Sequence, residues 1–229
     1  MVNPEIKIKY LYHSGFRVET SKHIFIFDYY KGNVDMGDKD TYVFSSHGHP
    51  DHFNKEIFQW QKQKPNIKYI LSDDISIKQK KGNIFVMSPY DEIKVDDVII
   101  KAFGSTDLGV SFLIQFLGTN LFHAGDLNWW YWSQDVPEEI KRAEILFKKE
   151  IAKIKGESID IAFFPVDPRL EHNYCVGADY FIQEISPKVL IPMHFGDNGE
   201  TAKQYAEKMK DSPTRIIDIA EKGQELVLD

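Results

Sequence analysis

Hydrophobic and polar positions alternate in short runs along the first half of the chain. The pattern has a period of two in "IKIKYLYH", and "GFRVET", "HIFIFDYY" and "TYVFSS" follow closely after short turns. Such runs predict β-strands. "FNKEIFQWQKQ" predicts a helix, and strands resume in "IKYILS", "NIFVMS", "EIKVDDVIIKAF", "VSFLIQFLGTN" and "LFHAG". Residues 118–120 are predicted to form a hairpin turn.

The second half of the chain alternates strands with helices. The strongest helical pattern covers residues 137–154, where Pro137 suits the first turn, the apolar stripe recurs at helical spacing and Gly156 is a plausible stop. "IDIAFFPV", "KVLIPMH", "TRIIDIA" and "QELVLD" predict strands, and "ADYFIQEIS" and "TAKQYAEKMK" predict helices. Runs of strands followed by strands with helices fit two packed sheets with helices outside. We expect one domain spanning residues 1–229.

Composition places the chain among ordinary globular proteins. Of its 229 residues 42% are hydrophobic and 28% charged, and the formal net charge is −7. Without a long basic run, no nucleic-acid partner is expected, and no segment has the length of a membrane span. The single cysteine, Cys175, cannot form an internal disulfide. Because the N-terminal stretch also lacks an apolar signal region, the predicted location is the cytoplasm.

Three of the eight histidines lie within six positions, in the segment "SSHGHPDHF". In an extended segment the side chains of His47 and His49 point to the same side and can coordinate one ion. Pro50 then turns the chain, so Asp51 and His52 can face a second position nearby. Imidazole and carboxylate are natural ligands for zinc and its first-row neighbours. This spacing therefore predicts a metal site at the end of a buried strand.

Further motifs follow in a characteristic order along nearly the whole chain. "FIFD" offers Asp28, "HGHPDH" follows it, "FHAGD" offers Asp126 and "LIPMH" offers His194. In this order the chain resembles the metallo-β-lactamase-fold hydrolases. "YLYHSGF" and "IPMHFG" resemble the branch that contains ascorbate-phosphate lactonase-like and uncharacterised hydrolases. The resemblance implies an α/β (α+β) protein built as a four-layer αββα sandwich.

The resemblance also implies a ligand set and a chemistry. Zinc, or another divalent metal such as manganese, iron or nickel, would be bound as one or two ions. The substrate would be a small molecule with an ester, lactone or phosphodiester bond, and assembly into a homo-oligomer is left open. Asp51 would be the catalytic residue as well as a ligand, orienting the attacking water. The implied metal ligands are His47, His49, Asp51, His52, Asp126 and His194.

One position departs from the family pattern. The third motif commonly supplies a histidine, but "GSTDLGVSF", residues 104–112, has Ser105 there. A serine hydroxyl is a poor zinc ligand at neutral pH, so the first metal site loses an imidazole unless Asp107 replaces it. The departure leaves a second hypothesis open, a degenerate and weakly catalytic member that binds a metal or metabolite. An iron-dependent redox protein is disfavoured, because that branch carries a flavodoxin-like extension for which this chain has no room.

The remaining histidines and Asp28 have weaker signals. Asp28 is expected to orient ligands rather than bind metal. His13 lies either at the site or in an ordinary turn, and His123 is expected to be buried in a strand. His172 lies on a loop that could roof the pocket, and His23 is expected to be exposed. The aromatic cluster at residues 129–132, "WWYW", has two open interpretations, core or subunit contacts and a substrate-facing wall.

Overall fold

The computed structural model describes residues 5–77 and 82–228. Its strands form two seven-stranded mixed sheets, with the orders β14-β1-β2-β3-β4-β5-β6 and β13-β12-β11-β10-β9-β8-β7. The strands of the first sheet are β1 (Ile6–Tyr12), β2 (Gly15–Glu19), β3 (His23–Phe27), β4 (Asp40–Ser45), β5 (Lys68–Ser72), β6 (Ile84–Met87) and β14 (Glu225–Leu228). Those of the second are β7 (Glu92–Val95), β8 (Val98–Gly104), β9 (Val110–Phe116), β10 (Thr119–His123), β11 (Ile161–Pro165), β12 (Val189–Met193) and β13 (Arg215–Ile216).

Each sheet contains a block of parallel strands. β3, β4, β5 and β6 pair in parallel in one sheet, and β10, β11, β12 and β13 do so in the other. Parallel strands are covered on both faces and therefore need nearly continuous apolar runs. Every residue of β3 and of β11 is buried. The two sheets share one large core, and the loops that follow the parallel strands emerge at one edge.

Three α-helices contact the second sheet, namely α1 (Pro137–Ile154), α2 (Val176–Ile185) and α3 (Glu200–Lys208). The predicted bounds of α1 are confirmed, and Phe147, Ile151 and Ile154 are its buried residues. Helix α2 ends before Ser186, which takes a left-handed conformation with φ 54°. None of the helices in the described part of the chain is both long and apolar enough to cross a bilayer.

The outer face of the first sheet is covered differently. Residues predicted as a helix there form a 3₁₀ helix, Lys55–Lys62, whose start is capped by the Asn54 side chain accepting from Glu56 N. Its one buried residue, Ile57, joins a second apolar cluster against the sheet. Phe58 and Trp60 of the same segment pack partly buried against this cluster, and short 3₁₀ turns serve as connectors. Two packed sheets with helices outside are therefore confirmed.

Two local predictions are wrong. The hairpin turn between β9 and β10 is formed by Leu117 and Gly118, with φ 46° and 78°, while Asn120 already pairs with Gln115. Two successive positive φ values match the right-handed twist of the strands. His23, expected to be exposed, is fully buried. It starts β3, which lies between β2 and β4 in the sheet, and its Nε2 lies 3.1 Å from Asp97 Oδ1.

Candidate metal centre

The predicted site residues lie at the carboxyl ends of the parallel strands, and five of the six predicted ligands, all but Asp51, meet there as candidate metal donors. Asp28 follows β3, the histidine motif follows β4, Asp126 follows β10 and His194 follows β12. In α/β sheets ligands bind at this edge, because the strand ends and their loops converge there. The packing of the two sheets thus brings together residues that are more than 160 positions apart in sequence, such as Asp28 of the first sheet and His194 of the second.

Six side chains offer nitrogen or oxygen atoms to two adjacent positions. His47, His49 and Asp126 form one group, and His13, His52 and His194 form another; within each group the offered atoms lie within 4.8 Å of one another. Asp126 faces both groups. Its Oδ2 lies 3.5 Å from His47 Nε2, and its Oδ1 lies 3.2 Å from His52 Nε2 and 3.1 Å from His194 Nε2. A carboxylate in this position can span two cations.

The unsatisfied atoms of the centre test whether a metal fits. His13 Nε2, His52 Nε2, His194 Nε2 and Asp126 Oδ1 are buried, and none has a partner with hydrogen-bond geometry in the described structure. Buried polar atoms almost always have a hydrogen-bond partner or a metal ion, so four such atoms that converge on one place indicate a common ligand. Imidazole nitrogens with a carboxylate oxygen suit zinc and other first-row divalent ions. The residues present fit such an ion, and the ligand role of each remains a prediction.

Buried carboxylates hold two of these imidazoles from behind. His52 Nδ1 lies 2.7 Å from Asp28 Oδ2, and Asp28 also accepts from Ser46 N and Ser46 Oγ, both at 2.7 Å. His194 Nδ1 lies 2.9 Å from Asp167 Oδ2. A carboxylate beside Nδ1 favours the tautomer in which Nδ1 carries the proton. In that tautomer Nε2 of His52 and Nε2 of His194 each direct a lone pair toward the centre. The geometry agrees with the predicted orienting role of Asp28.

The sequence analysis missed Asp167 and Arg169. Asp167 is fully buried just after β11, and the Arg169 guanidinium binds both of its oxygens. A usable signal was present in "FFPVDPR", since an aspartate directly follows a buried strand between β10 and β12. The strand-end rule that favoured Asp28 and His194 would have singled out Asp167 too.

His13, which the sequence left open, lies in the centre. Its ring centroid is 3.9 Å from that of His194, and its Nε2 is 3.4 Å from Asp51 Oδ2. The backbone holds it there: His194 N donates to His13 O at 3.0 Å, and His13 N donates to Tyr10 Oη at 2.8 Å. His13 and His194 both have positive φ, 58° and 71°. Such strain in non-glycine residues persists where surrounding contacts enforce it, often at functional sites.

Charges within the centre shift its pKa values in opposite directions. Burial disfavours the charged form of Asp126, but the charges of His194 and His52 outweigh it and lower the carboxyl pKa far below its usual range. Burial opposes protonation of His194 too, yet Asp126 and Asp167 raise its pKa to about 9. The pKa of His13 falls to about 3, first through burial and then through repulsion by His194 and His52. The metal-free centre is thus a tightly coupled set of charges.

The first position has two imidazoles, those of His47 and His49, and Ser105 stands where the family pattern has a third. Ser105 Oγ accepts a 3.3 Å hydrogen bond from Asp107 N, a contact that stabilises the turn within this loop. Asp107 Oδ2 lies 3.8 Å from His49 Nδ1, so the carboxylate is near the position without contacting the imidazole closely. The side chains of His49 and Asp107 are 43% and 45% exposed. We therefore expect this water-accessible position, with one fewer imidazole, to bind a cation less tightly than its buried neighbour.

The aromatic cluster lies partly against the helices and partly beside the centre, and none of residues 129–132 is among those that line the cavity. Trp129 packs near Phe147 and Tyr180 on the helical side. The Trp130 ring is 5.4 Å from that of His194, and its Nε1 donates to Asp126 O at 3.1 Å. Trp132 stacks on Trp130 at 6.2 Å. His123 is fully buried, as predicted.

An open cavity of about 480 Å³ leads to the centre. His13, Asp51 and His194 lie at one end of its lining, so a ligand in the cavity can reach the candidate metal positions. His172 is exposed and is not among the lining residues. The cavity is lined by Tyr12, His13, Tyr30, Pro50, Asp51, Asp167, Pro168, Arg169, His194, Phe195 and Gly196.

Comparison with known proteins agrees with this fold and site. The model of the beta-lactamase superfamily domain matches residues 7–148, more than half of the chain. The chain belongs to this superfamily. A UPF0173 metal-dependent hydrolase of Pyrococcus abyssi is 26% identical over 97% of this chain and 100% of its own length.

Solved structures extend the comparison to the fold of this superfamily member. Igni18, a metallo hydrolase from Ignicoccus hospitalis, superposes with a TM-score of 0.71 at 16% identity, covering 98% of this chain and 99% of Igni18. YhfI from Bacillus subtilis, a metallo-beta-lactamase fold protein, gives a TM-score of 0.62 at 14% identity, covering 99% of this chain and 100% of YhfI. The predicted metallo-β-lactamase fold is confirmed.

Proposed function

We propose that this protein is a metal-dependent hydrolase of a small-molecule ester, lactone or phosphodiester. The observation that carries the proposal is the convergence of unsatisfied His52 Nε2, His194 Nε2 and Asp126 Oδ1 at the end of an open cavity. The named hydrolases among its relatives support the same reaction class. Zinc is the proposed metal because imidazole and carboxylate ligands suit it, and manganese, iron or nickel would be accepted by the same donors.

The residues divide the work between binding and proton transfer. A bound divalent cation supplies Lewis acidity and lowers the pKa of water at the site. Asp28 and Asp167 hold His52 and His194 with Nε2 toward the centre. Asp51, whose side chain is 48% exposed to the cavity, orients the attacking water at Oδ2, accepts its proton and returns that proton to the leaving group.

The size and charge of the molecule support the proposed substrate class and setting. A cavity of about 480 Å³ is in the range of small-molecule pockets. The net charge of −7 disfavours a nucleic-acid substrate, whose backbone would be repelled. The proposed location is the cytoplasm, because the single cysteine, Cys175, cannot form an internal disulfide. A homo-oligomer is compatible with this proposal and would be measured by light scattering.

Reconstitution with defined metals tests the proposal. Protein stripped by a chelator is reloaded with zinc, manganese, iron or nickel and assayed on ester, lactone and phosphodiester panels. We expect hydrolysis of at least one class that disappears with the metal and returns with it. Less than about a tenth of an equivalent of bound metal after reconstitution, or equal turnover without metal, would contradict the proposal.

Ser105 supports a second candidate, a weakly catalytic protein that binds a metal or metabolite. Its hydroxyl is engaged by Asp107 N and replaces an imidazole that the family pattern places there. If the second candidate is correct, the loaded protein binds small ligands but turns over none of the three panels. Metal analysis combined with the panels separates the two candidates.

A further inference from the structure

We propose that Arg169 binds an anionic group of the substrate, a carboxylate or a phosphate, beside the bond that is cleaved. This inference rests on the proposed function, because it assumes that a substrate is cleaved at the metal centre. The anion site itself rests on the geometry of the cavity, in which Arg169 lies next to His194.

The guanidinium of Arg169 is fixed on one edge and open on the other. Nε and Nη2 donate to the buried Asp167 carboxylate, and these bonds occupy one edge of the planar guanidinium. Nη1 has no hydrogen-bond partner within residues 5–77 and 82–228, and the Arg169 side chain is 58% exposed. Arginine carries five N–H donors in a rigid plane, so donors remain for a second, cavity-side acceptor. Carboxylate and phosphate oxygens are the acceptors that match this planar fork.

The position of Arg169 ties the anion to the reacting end of the cavity. Nη2 lies 3.3 Å from His194 Nδ1, so the guanidinium borders the ring whose other nitrogen faces the centre. Trp132 lies under the guanidinium, with its ring centroid 5.8 Å from Cζ. Held by Asp167 and Trp132, the group loses little conformational freedom on binding a ligand. One small molecule could therefore place its anionic group on Arg169 and its reacting bond at the candidate metal positions.

The opposite wall of the cavity also carries positive charge. Tyr12 lines the cavity, and Lys31 Nζ and Lys222 Nζ lie 3.8 and 4.2 Å from its ring centroid. Lys222 is neutralised by Asp197 at 2.7 Å. No ion pair of Lys31 is found in the described part of the chain. On an acidic protein, a lysine that has no ion pair within the described residues favours entry of an anion at this cavity mouth.

Carboxylates at the same cavity do not cancel this effect. Asp167 is engaged by Arg169 and His194, and Asp126 is shared among the histidines of the centre. Asp51 stands at the reacting end beside His13. Asp51, Asp126 and Asp167 thus lie where cations are expected to bind, Asp197 offsets Lys222, and Arg169 and Lys31 remain on the substrate side.

A pair of esters with the same leaving group tests the proposal. The zinc-loaded enzyme is assayed on neutral 4-nitrophenyl hexanoate and on the anionic monoester 4-nitrophenyl adipate, which have acyl chains of the same length. We expect Arg169→Gln to raise the ratio of KM for the anionic ester to KM for the neutral ester about tenfold, because only the anionic ester loses a charge-assisted contact. Arg142→Gln, the same change on the exposed face of α1, is the matched control and should alter neither value. Equal losses on both esters would overturn the proposal, since Arg169 would then act only through Asp167 and His194.

A binding experiment separates this inference from the proposed hydrolysis. Succinate and inorganic phosphate are titrated by calorimetry into zinc-loaded wild type, Arg169→Gln and Arg142→Gln, each with its zinc content measured. We expect Arg169→Gln alone to weaken one or both anions about tenfold, and the larger loss identifies the preferred group. Unchanged affinities would overturn the anion site. If neither ester is hydrolysed, the proposed function fails, while the titrations still decide the role of Arg169.

Discussion

Asp28 and His52 lie 24 positions apart and meet in the interior, with Asp28 Oδ2 2.7 Å from His52 Nδ1 and both side chains fully buried. The contact joins the loop after β3 to the loop after β4. It fixes the ring that presents Nε2 to the candidate metal position. A buried carboxylate that orients an imidazole raises the affinity of the site without contacting the metal.

Replacing Asp28 by asparagine tests this relationship. We expect Asp28→Asn to weaken zinc binding about 10–100-fold, because the amide no longer accepts all three hydrogen bonds of the carboxylate. Calorimetric titration of the metal-free protein measures the change. Asp97→Asn is the matched control, since it removes the carboxylate from a buried histidine, His23, at the opposite end of β3. Equal zinc affinities for the wild type and Asp28→Asn would contradict the orienting role.

His13 is expected to contribute to metal binding. Its orphaned Nε2 faces His52 and His194, so His13→Ala should lower zinc affinity at least about tenfold and change the visible spectrum of the cobalt-substituted protein. His172→Ala removes an exposed histidine and serves as the control. An unchanged cobalt spectrum in His13→Ala would assign His13 to a structural role.

Two unequal metal affinities are expected because Ser105 replaces an imidazole. Titration should show a tight second position and a weak first one, and Ser105→His should tighten the weak step. Asp107→Asn removes the charge of a carboxylate 3.8 Å from His49 Nδ1 and should weaken that step further. Ser21→His, on an exposed turn, controls for adventitious binding. Two equally tight ions in the natural protein would mean that another group replaces the missing histidine.

Removing Asp51 should abolish catalysis more than it affects folding. Its side chain is 48% exposed, so Asp51→Ala should change the free energy of unfolding by at most about 0.5 kcal/mol. Turnover should fall at least about 100-fold through loss of the proton acceptor. Asp211→Ala, another exposed site, is the control for both measurements. Full turnover in Asp51→Ala would refute the catalytic assignment.

The stability of the metal-free protein should depend on pH in a defined window. His194 has a pKa raised to about 9 in the folded protein, against about 6.5 when unfolded. Because folding raises the pKa of His194, its protonation contributes fully to the free energy of unfolding below pH 6.5. This contribution is lost as the pH rises to about 9. The slope approaches about 1.4 kcal/mol per pH unit for one proton. Thermal denaturation from pH 6.5 to 9 should show falling stability without metal and a flatter profile with zinc, whose binding displaces the proton.

Some of the candidate site was already determined by local sequence. The spacing of His47, His49, Asp51 and His52 is a one-segment property, because residues two apart in an extended loop point the same way. The bounds of α1 followed equally from its proline, its apolar spacing and the final glycine. These features need no knowledge of distant residues.

The tertiary structure alone decided which distant groups complete the site. His13, Asp167 and Arg169 join it because β11 and β12 pair in parallel and the turn after β1 bonds to His194 N. The burial of His23 has the same origin, since its neighbours in the sheet cover a residue that looks polar in sequence. Periodicity describes one element at a time, whereas strand order and the docking of two sheets set these contacts. The sequence therefore determined the elements and the metal-binding motif, and packing determined the orienting carboxylates and the cavity.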